Sequence, residues 1–187
     1  MTWSLGYLPF REPELSDALH LSAGRSLHLA NAFEAKCRFV LRIANLIDAL
    51  DADPVADLEL AIASLPPDKL LGPTLHQLNG RMPLPADTAD VLHRAKEGRN
   101  FIAHQGGGTN FAATMRSGDI VKHASRLRAA VADLARGDNI VSTLCYAIEE
   151  PREPAPQLLI DAYPGMIDDW VFGHFGDLLA PGQPPGE

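Results

Sequence analysis

The run Phe33-Glu34-Ala35-Lys36-Cys37-Arg38-Phe39-Val40-Leu41-Arg42-Ile43-Ala44-Asn45-Leu46-Ile47-Asp48-Ala49-Leu50 decides the fold class. Phe33, Cys37, Val40, Ala44 and Ile47 step by four, three, four and three residues, and Phe39, Ile43, Leu46 and Leu50 form a second stripe. At about 100° per residue the two stripes lie roughly 110° apart, so the helix is apolar over more than half its circumference. Such a helix is central to a bundle, or it packs on its own bundle and also on a second subunit. Working outward, the helix is expected from Ser16 to Leu50, with a break near Gly24; Ser16 and Asp17 offer N-cap chemistry and Glu14 a favourable charge.

The whole chain agrees with this reading. It has 187 residues, 46% hydrophobic and 21% charged, which suits a single folded unit and excludes wholesale disorder. Aromatics are only 6%, so the core is built from Leu, Ile, Val and Ala, which favours helices over a β-sandwich. Cys37 and Cys145 have neither zinc spacing nor a disulfide framework, and Cys37 falls on the core stripe. Met1–Phe10 has no positive start and no long apolar run, and no stretch reaches the roughly 18 apolar residues of a membrane span. A reduced, cytoplasmic chain without a membrane partner is expected.

Proline maps the layout. Residues 86–150 contain none, Pro151, Pro154 and Pro156 mark a linker, and Pro181, Pro184 and Pro185 mark a disordered tail. Further helices are expected at Asp57–Leu65, Lys69–Leu78 and Ala86–His104, the last stopped by Gly106-Gly107-Gly108. Asp119–Ala135 is expected to end at Gly137, with another helix at Asn139–Glu149. Pro164-Gly165 divides residues 157–179 into two short helices. The expectation is an all-α, up-and-down bundle over 1–150 with an additional C-terminal helical segment in 151–187. No alternating pattern long enough for a strand is present.

Charge is unevenly spread. Residues 149–187 hold eight acidic side chains against Arg152 alone, while residues 90–136 hold eight basic and four acidic ones. The middle of the chain can therefore carry a local anion site despite the net charge of −8. The acidic segment is expected as a last helical layer, or as a cover over the basic groove.

Lys96-Glu97-Gly98-Arg99-Asn100-Phe101-Ile102-Ala103-His104 holds the chemistry. Thr88, Leu92, Ala95, Arg99 and Ile102 share one helical stripe, which puts a guanidinium where the pattern asks for an apolar residue. Arg99 therefore requires a partner or an anion. Gly98 costs about 1 kcal/mol relative to Ala in mid-helix, tolerable where something approaches the backbone closely. Asn100 and His104, four residues apart, can meet.

Arg99-Asn100-Phe101-Ile102-Ala103-His104 resembles the signature of the HEPN family, Arg-x(4–6)-His with a polar residue after the Arg. Lys36-Cys37-Arg38 leading into Asn45-Leu46-Ile47 is similar to the first helix of such domains, and the resemblance spans roughly residues 16–136. Twelve Arg and seven His give about one Arg-x(4–6)-His by chance, and about 0.2 once the polar residue is required. Arg116 to His123 is a second hit, but Ser117 follows its Arg. A toxin subset of the family carries Tyr two residues after the His; Gly106 stands there, which sets the chain apart from that subset and its nucleotidyltransferase antitoxins.

The resemblance implies an all-α bundle and a metal-independent endoribonuclease of the toxin or antiphage-defence kind, with an active site formed across a homodimer. It implies no cofactor and no metal, RNA as substrate, and a place for an antitoxin or other protein partner. Arg99 would hold the scissile phosphate, His104 would act as general acid or base, and Asn100 would orient His104 or the phosphate. Arg94, Lys96, Lys122 and Arg126 are the candidate RNA-binding residues, against the plainer reading of a solvated helix face. Other family members are catalytically inert and bind nucleotides or proteins, which is the alternative for this chain.

Overall fold

A computed structural model describes residues 10–52, 57–67, 70–81, 84–106 and 115–179, with side chains as far as residue 176. They form six α-helices: α1 (Pro13–Ala52), α2 (Leu58–Ala63), α3 (Leu71–Arg81), α4 (Ala86–Gln105), α5 (Ser117–Glu149) and α6 (Gln157–Phe172), followed by a 3-10 segment, Gly173–Leu179. No strand occurs among the described residues. The protein is an all-α helical bundle.

Contacts between residues give the helix directions. Phe33 lies beside Gly137, and Lys36 bonds Asp138 and Ser142, so α1 and α5 run parallel. Gly98 lies against Ala130 and Ala95 against Gly137, so α4 is antiparallel to α5. Tyr163 bonds Asp138 and Asp168 bonds Arg128, which makes α6 antiparallel too. α1, α4, α5 and α6 thus form an up-down-up-down bundle, with α2 and α3 inserted before α4 and packed along α1. Leu19, Phe33, Cys37 and Val40 of α1 meet Ala95 and Ile102 of α4, Leu127, Val131 and Leu134 of α5, and Val171 and Phe172 of α6 in one core.

Several local rules give way to this packing. α1 starts at Pro13, where a proline in the first turn lacks only an N–H that would be unpaired anyway, and it passes Gly24 unbroken. Ser16 is accordingly a buried residue inside the helix and not its cap. Asp57 does cap α2, accepting from the N–H of Glu59 at 2.9 Å and of Leu60 at 3.1 Å. α5 is one helix: Gly137 does not end it. A Cβ at Gly137 would lie 2.3 Å from that of Ala95, so this glycine serves the α4–α5 approach. Gly98 is its counterpart, with the carbonyl oxygen of Ala130 2.6 Å from where a Cβ would stand.

α6 is also one helix, with Pro164 inside it. Proline removes the N–H that would bond the carbonyl four residues earlier. That carbonyl belongs to Ile160, and the Asn139 side-chain amide of α5 donates to it at 2.8 Å. A residue of another helix thus supplies the donor that the proline lacks.

α6 is a packed layer of the bundle. Ser22 Oγ donates to the Val171 carbonyl at 2.9 Å, and Arg128 Nε donates to Asp168 Oδ1 at 2.7 Å. Val171, Phe172 and Phe175 are buried. The tail carrying Pro181, Pro184 and Pro185 lies outside the described residues, as do Gly107 and Gly108. Among the described residues, no helix is long and apolar enough to cross a membrane.

Candidate functional site

α4 carries the Arg99–His104 motif along its last turns, up to its C-cap Gly106. On the side facing α1, the Arg99 guanidinium donates to Oε2 of Glu34. Arg38, one turn along α1, donates to the other oxygen of the same carboxylate. One carboxylate therefore serves two guanidiniums, leaving a local excess of one positive charge. Glu34 keeps 9% of its side chain exposed and Arg99 23%, so the solvent side of the cluster is cationic. The Nε atoms of Arg38 and Arg99 are buried and make no hydrogen bond among the described residues. Arg38 and Arg42 also line a narrow cleft against Thr74 and Gln77 of α3.

Arg99 thus has the partner its position required. No local pattern in the sequence assigns Glu34 to Arg99 or makes Arg38 the second donor to that carboxylate. The available signal was an acid–base pair at i, i+4 in an otherwise apolar run.

Asn100 is half-buried, and its Oδ1 accepts from Arg99 Nη1 at 3.3 Å. It orients the guanidinium and makes no hydrogen bond to His104. His104 is exposed and has no hydrogen-bond partner among the described residues. Five residues apart, Arg99 and His104 stand about 140° from each other around an ideal helix.

The four basic candidates fare differently. Arg94 lies 3.8 Å from Asp133, and Lys96 3.2 Å from Glu97, both weak surface pairs. Lys122 is exposed. Arg126 stacks its guanidinium 5.1 Å from the ring centre of Phe101, whose other neighbour is the His123 ring at 6.0 Å. His123 Nε2 donates to the Gly106 carbonyl at 3.0 Å, which ties the second Arg-x(6)-His match to the end of α4.

A second polar cluster lies on the far side of α1. Asp138, fully buried, accepts from Lys36 Nζ at 2.8 Å and from the Tyr163 hydroxyl. Burial and the adjacent Asp138 carboxylate push the Tyr163 phenol well above its ordinary pKa. Burial likewise raises the Cys37 thiol, which has no exposed surface and is an inert core residue. Among the described residues, no three His, Cys, Asp or Glu side chains converge as a metal set.

Comparison with family models, curated proteins and solved structures gives no match. The functional reading therefore rests on the residues themselves.

Proposed function

We propose that the chain is a metal-independent endoribonuclease of HEPN type, working as a homodimer on cytoplasmic RNA in a toxin-like or antiphage-defence role. The observation that carries this is the presence on one helix of a braced arginine and an exposed histidine. Arg99 is held by Glu34 and Asn100 with its solvent side open, and His104 stands exposed one turn beyond.

The chemistry uses RNA's own nucleophile. A base takes the proton of a 2′-hydroxyl, whose oxygen forms a bond to the adjacent phosphorus. The bond from phosphorus to the 5′-oxygen breaks, and an acid returns a proton to that oxygen, leaving a 2′,3′-cyclic phosphate and a 5′-hydroxyl. Imidazole suits either proton transfer, and the guanidinium suits the charge on the phosphoryl oxygens. One motif supplies one His104. Two protomers about a two-fold axis supply both proton-transfer roles and allow the Arg99 of one to act with the His104 of the other. The second apolar stripe of α1 supports such an interface, since Phe39 is 37% exposed and Ile43, Leu46 and Leu50 are only partly buried. Arg94, Lys96, Lys122 and Arg126 are proposed to follow the RNA backbone.

The neutralisation of Arg99 by Glu34 also favours a second reading, a catalytically inert module that holds a nucleotide or a partner protein. One experiment separates them. Purified protein in EDTA is expected to cut single-stranded RNA, leaving cyclic phosphate or 3′-phosphate ends, and to spare DNA. His104→Ala and Arg99→Ala are each expected to lose at least about 10²-fold in rate while staying folded. Equal cleavage of DNA, or full activity in both variants, overturns the proposal.

A further inference from the structure

Between α3 and α4 lies a cleft of about 270 Å³, close to the lower limit of about 300 Å³ for small-ligand pockets. Its floor is apolar: Leu75 from α3, Leu92 from α4 and Leu84 from the segment between them. Its polar lining is His76 and Asn79 of α3 and His93 and Lys96 of α4, and among the described residues no carboxylate lines it. His76, Asn79 and His93 are exposed and none has a hydrogen-bond partner among the described residues. Among the described residues Lys96 is paired with the exposed Glu97 alone.

These groups match the parts of one nucleotide. A base removed from its stack is held by apolar surface and by aromatic rings, imidazole included. The Asn79 amide offers a donor beside an acceptor, the pattern that adenine complements bidentately. The Lys96 ammonium offers charge to a phosphate, which competes readily with a single exposed carboxylate.

The cleft also connects to the motif. His93, Lys96, Asn100 and His104 step by three, four and four along α4, so they form one polar stripe. From Lys96 to His104 the helix rises about 12 Å. A strand laid along this stripe can reach the motif and the cleft at once.

We propose that the α3–α4 cleft is a nucleotide subsite that takes an unstacked adenine base, with its phosphate on Lys96. Its place beside a scissile phosphate rests on the ribonuclease reading above; its binding of a nucleotide does not. The full chain is titrated with adenosine 5′-monophosphate and, separately, with ribose 5-phosphate, by calorimetry or by amide chemical shifts. The monophosphate is expected to bind at least about tenfold more tightly than the base-free sugar phosphate, the scale of one good base contact. Gly72 lines the cleft and a Cβ there meets nothing within 4 Å, so Gly72→Phe adds a ring at the cleft while keeping His76, Asn79, His93 and Lys96. It is expected to lower affinity for the monophosphate at least tenfold, and so is Lys96→Ala, at a partly exposed position, should Gly72→Phe not fold.

Equal binding of the sugar phosphate, no binding of the monophosphate, or affinity unchanged in both Gly72→Phe and Lys96→Ala overturns the subsite. RNA cleavage without such binding leaves the ribonuclease reading standing and removes the subsite. Binding that Gly72→Phe abolishes, in a chain that cuts no RNA, supports the subsite and removes the ribonuclease reading. In an active enzyme, Gly72→Phe raises KM for adenine-containing RNA and leaves kcat within about twofold, as loss of uniform binding requires.

Discussion

Arg99 and Glu34, 65 residues apart in sequence, form an ion pair at the contact of α4 with α1, and Arg38 completes it from the other side. The pair is an asymmetric dependency. Glu34 is the shared member, so its loss leaves two partly buried guanidiniums facing each other. Loss of Arg99 leaves Glu34 still paired with Arg38. Breaking a buried pair from one side costs about 3 kcal/mol. Glu34→Gln is expected to approach that cost in urea unfolding, and Arg99→Ala to cost clearly less. The reverse order would show that Glu34 is not the centre of the cluster.

The bond from Tyr163 to Asp138 makes stability depend on alkaline pH. Folding raises the Tyr163 pKa, through burial and the Asp138 carboxylate it faces. Lys36 also donates to that carboxylate and, in turn, to the Ser142 hydroxyl. Above the unfolded phenol value of about 10, the unfolded chain binds fewer protons than the folded one. The contribution is therefore fully present below that pH and is lost as pH rises through it toward the folded value. Tyr163→Phe removes this dependence. The gap in urea midpoint between native chain and variant is expected to narrow from pH 9 to pH 11, as ordinary phenols titrate near 10. A constant gap contradicts the assignment.

Asn139 and Pro164 form a coupled pair through the Ile160 carbonyl. Asn139→Ala leaves that carbonyl without a donor and is expected to cost about 1 kcal/mol. With Pro164→Ala already present, the backbone N–H returns, and removing the Asn139 side chain should cost little. The double-mutant cycle is expected to give a coupling of about 1 kcal/mol. Additive costs would mean that the backbone N–H does not take over the bond.

The glycines of α1 and α4 should respond in opposite directions. Gly24 faces open space within its helix, so Gly24→Ala is expected to raise stability by up to about 1 kcal/mol. Gly98→Ala drives a methyl into the Ala130 carbonyl, and overpacking of this kind costs about 1–3 kcal/mol. Thermal unfolding of the two variants checks both signs; a stabilised Gly98→Ala would contradict the close approach of α4 and α5.

Much of this architecture was legible in the sequence. The stripe Phe33, Cys37, Val40 gave α1 its buried face, because period alone aligns those residues. The bounds of α4 followed from Ala86 and the glycines after Gln105. Arg99 on an apolar stripe announced a partner, since a guanidinium cannot be half-buried alone. Gly98 announced a close neighbour.

Tertiary structure decided the rest. Which of 24 carboxylates would meet Arg99 was a matter of how α1 lies on α4, and no local pattern encodes that. Gly137 and Pro164 look like helix stops by every local rule. Both lie inside helices, because Ala95 fills the space beside one and Asn139 supplies the bond missing at the other. Local propensities are worth about 1 kcal/mol for glycine and 3 kcal/mol for proline. Packing and a recovered hydrogen bond offset terms of that size, so in α5 and α6 the neighbouring helices, and not the residues' own preferences, determined where the helices end.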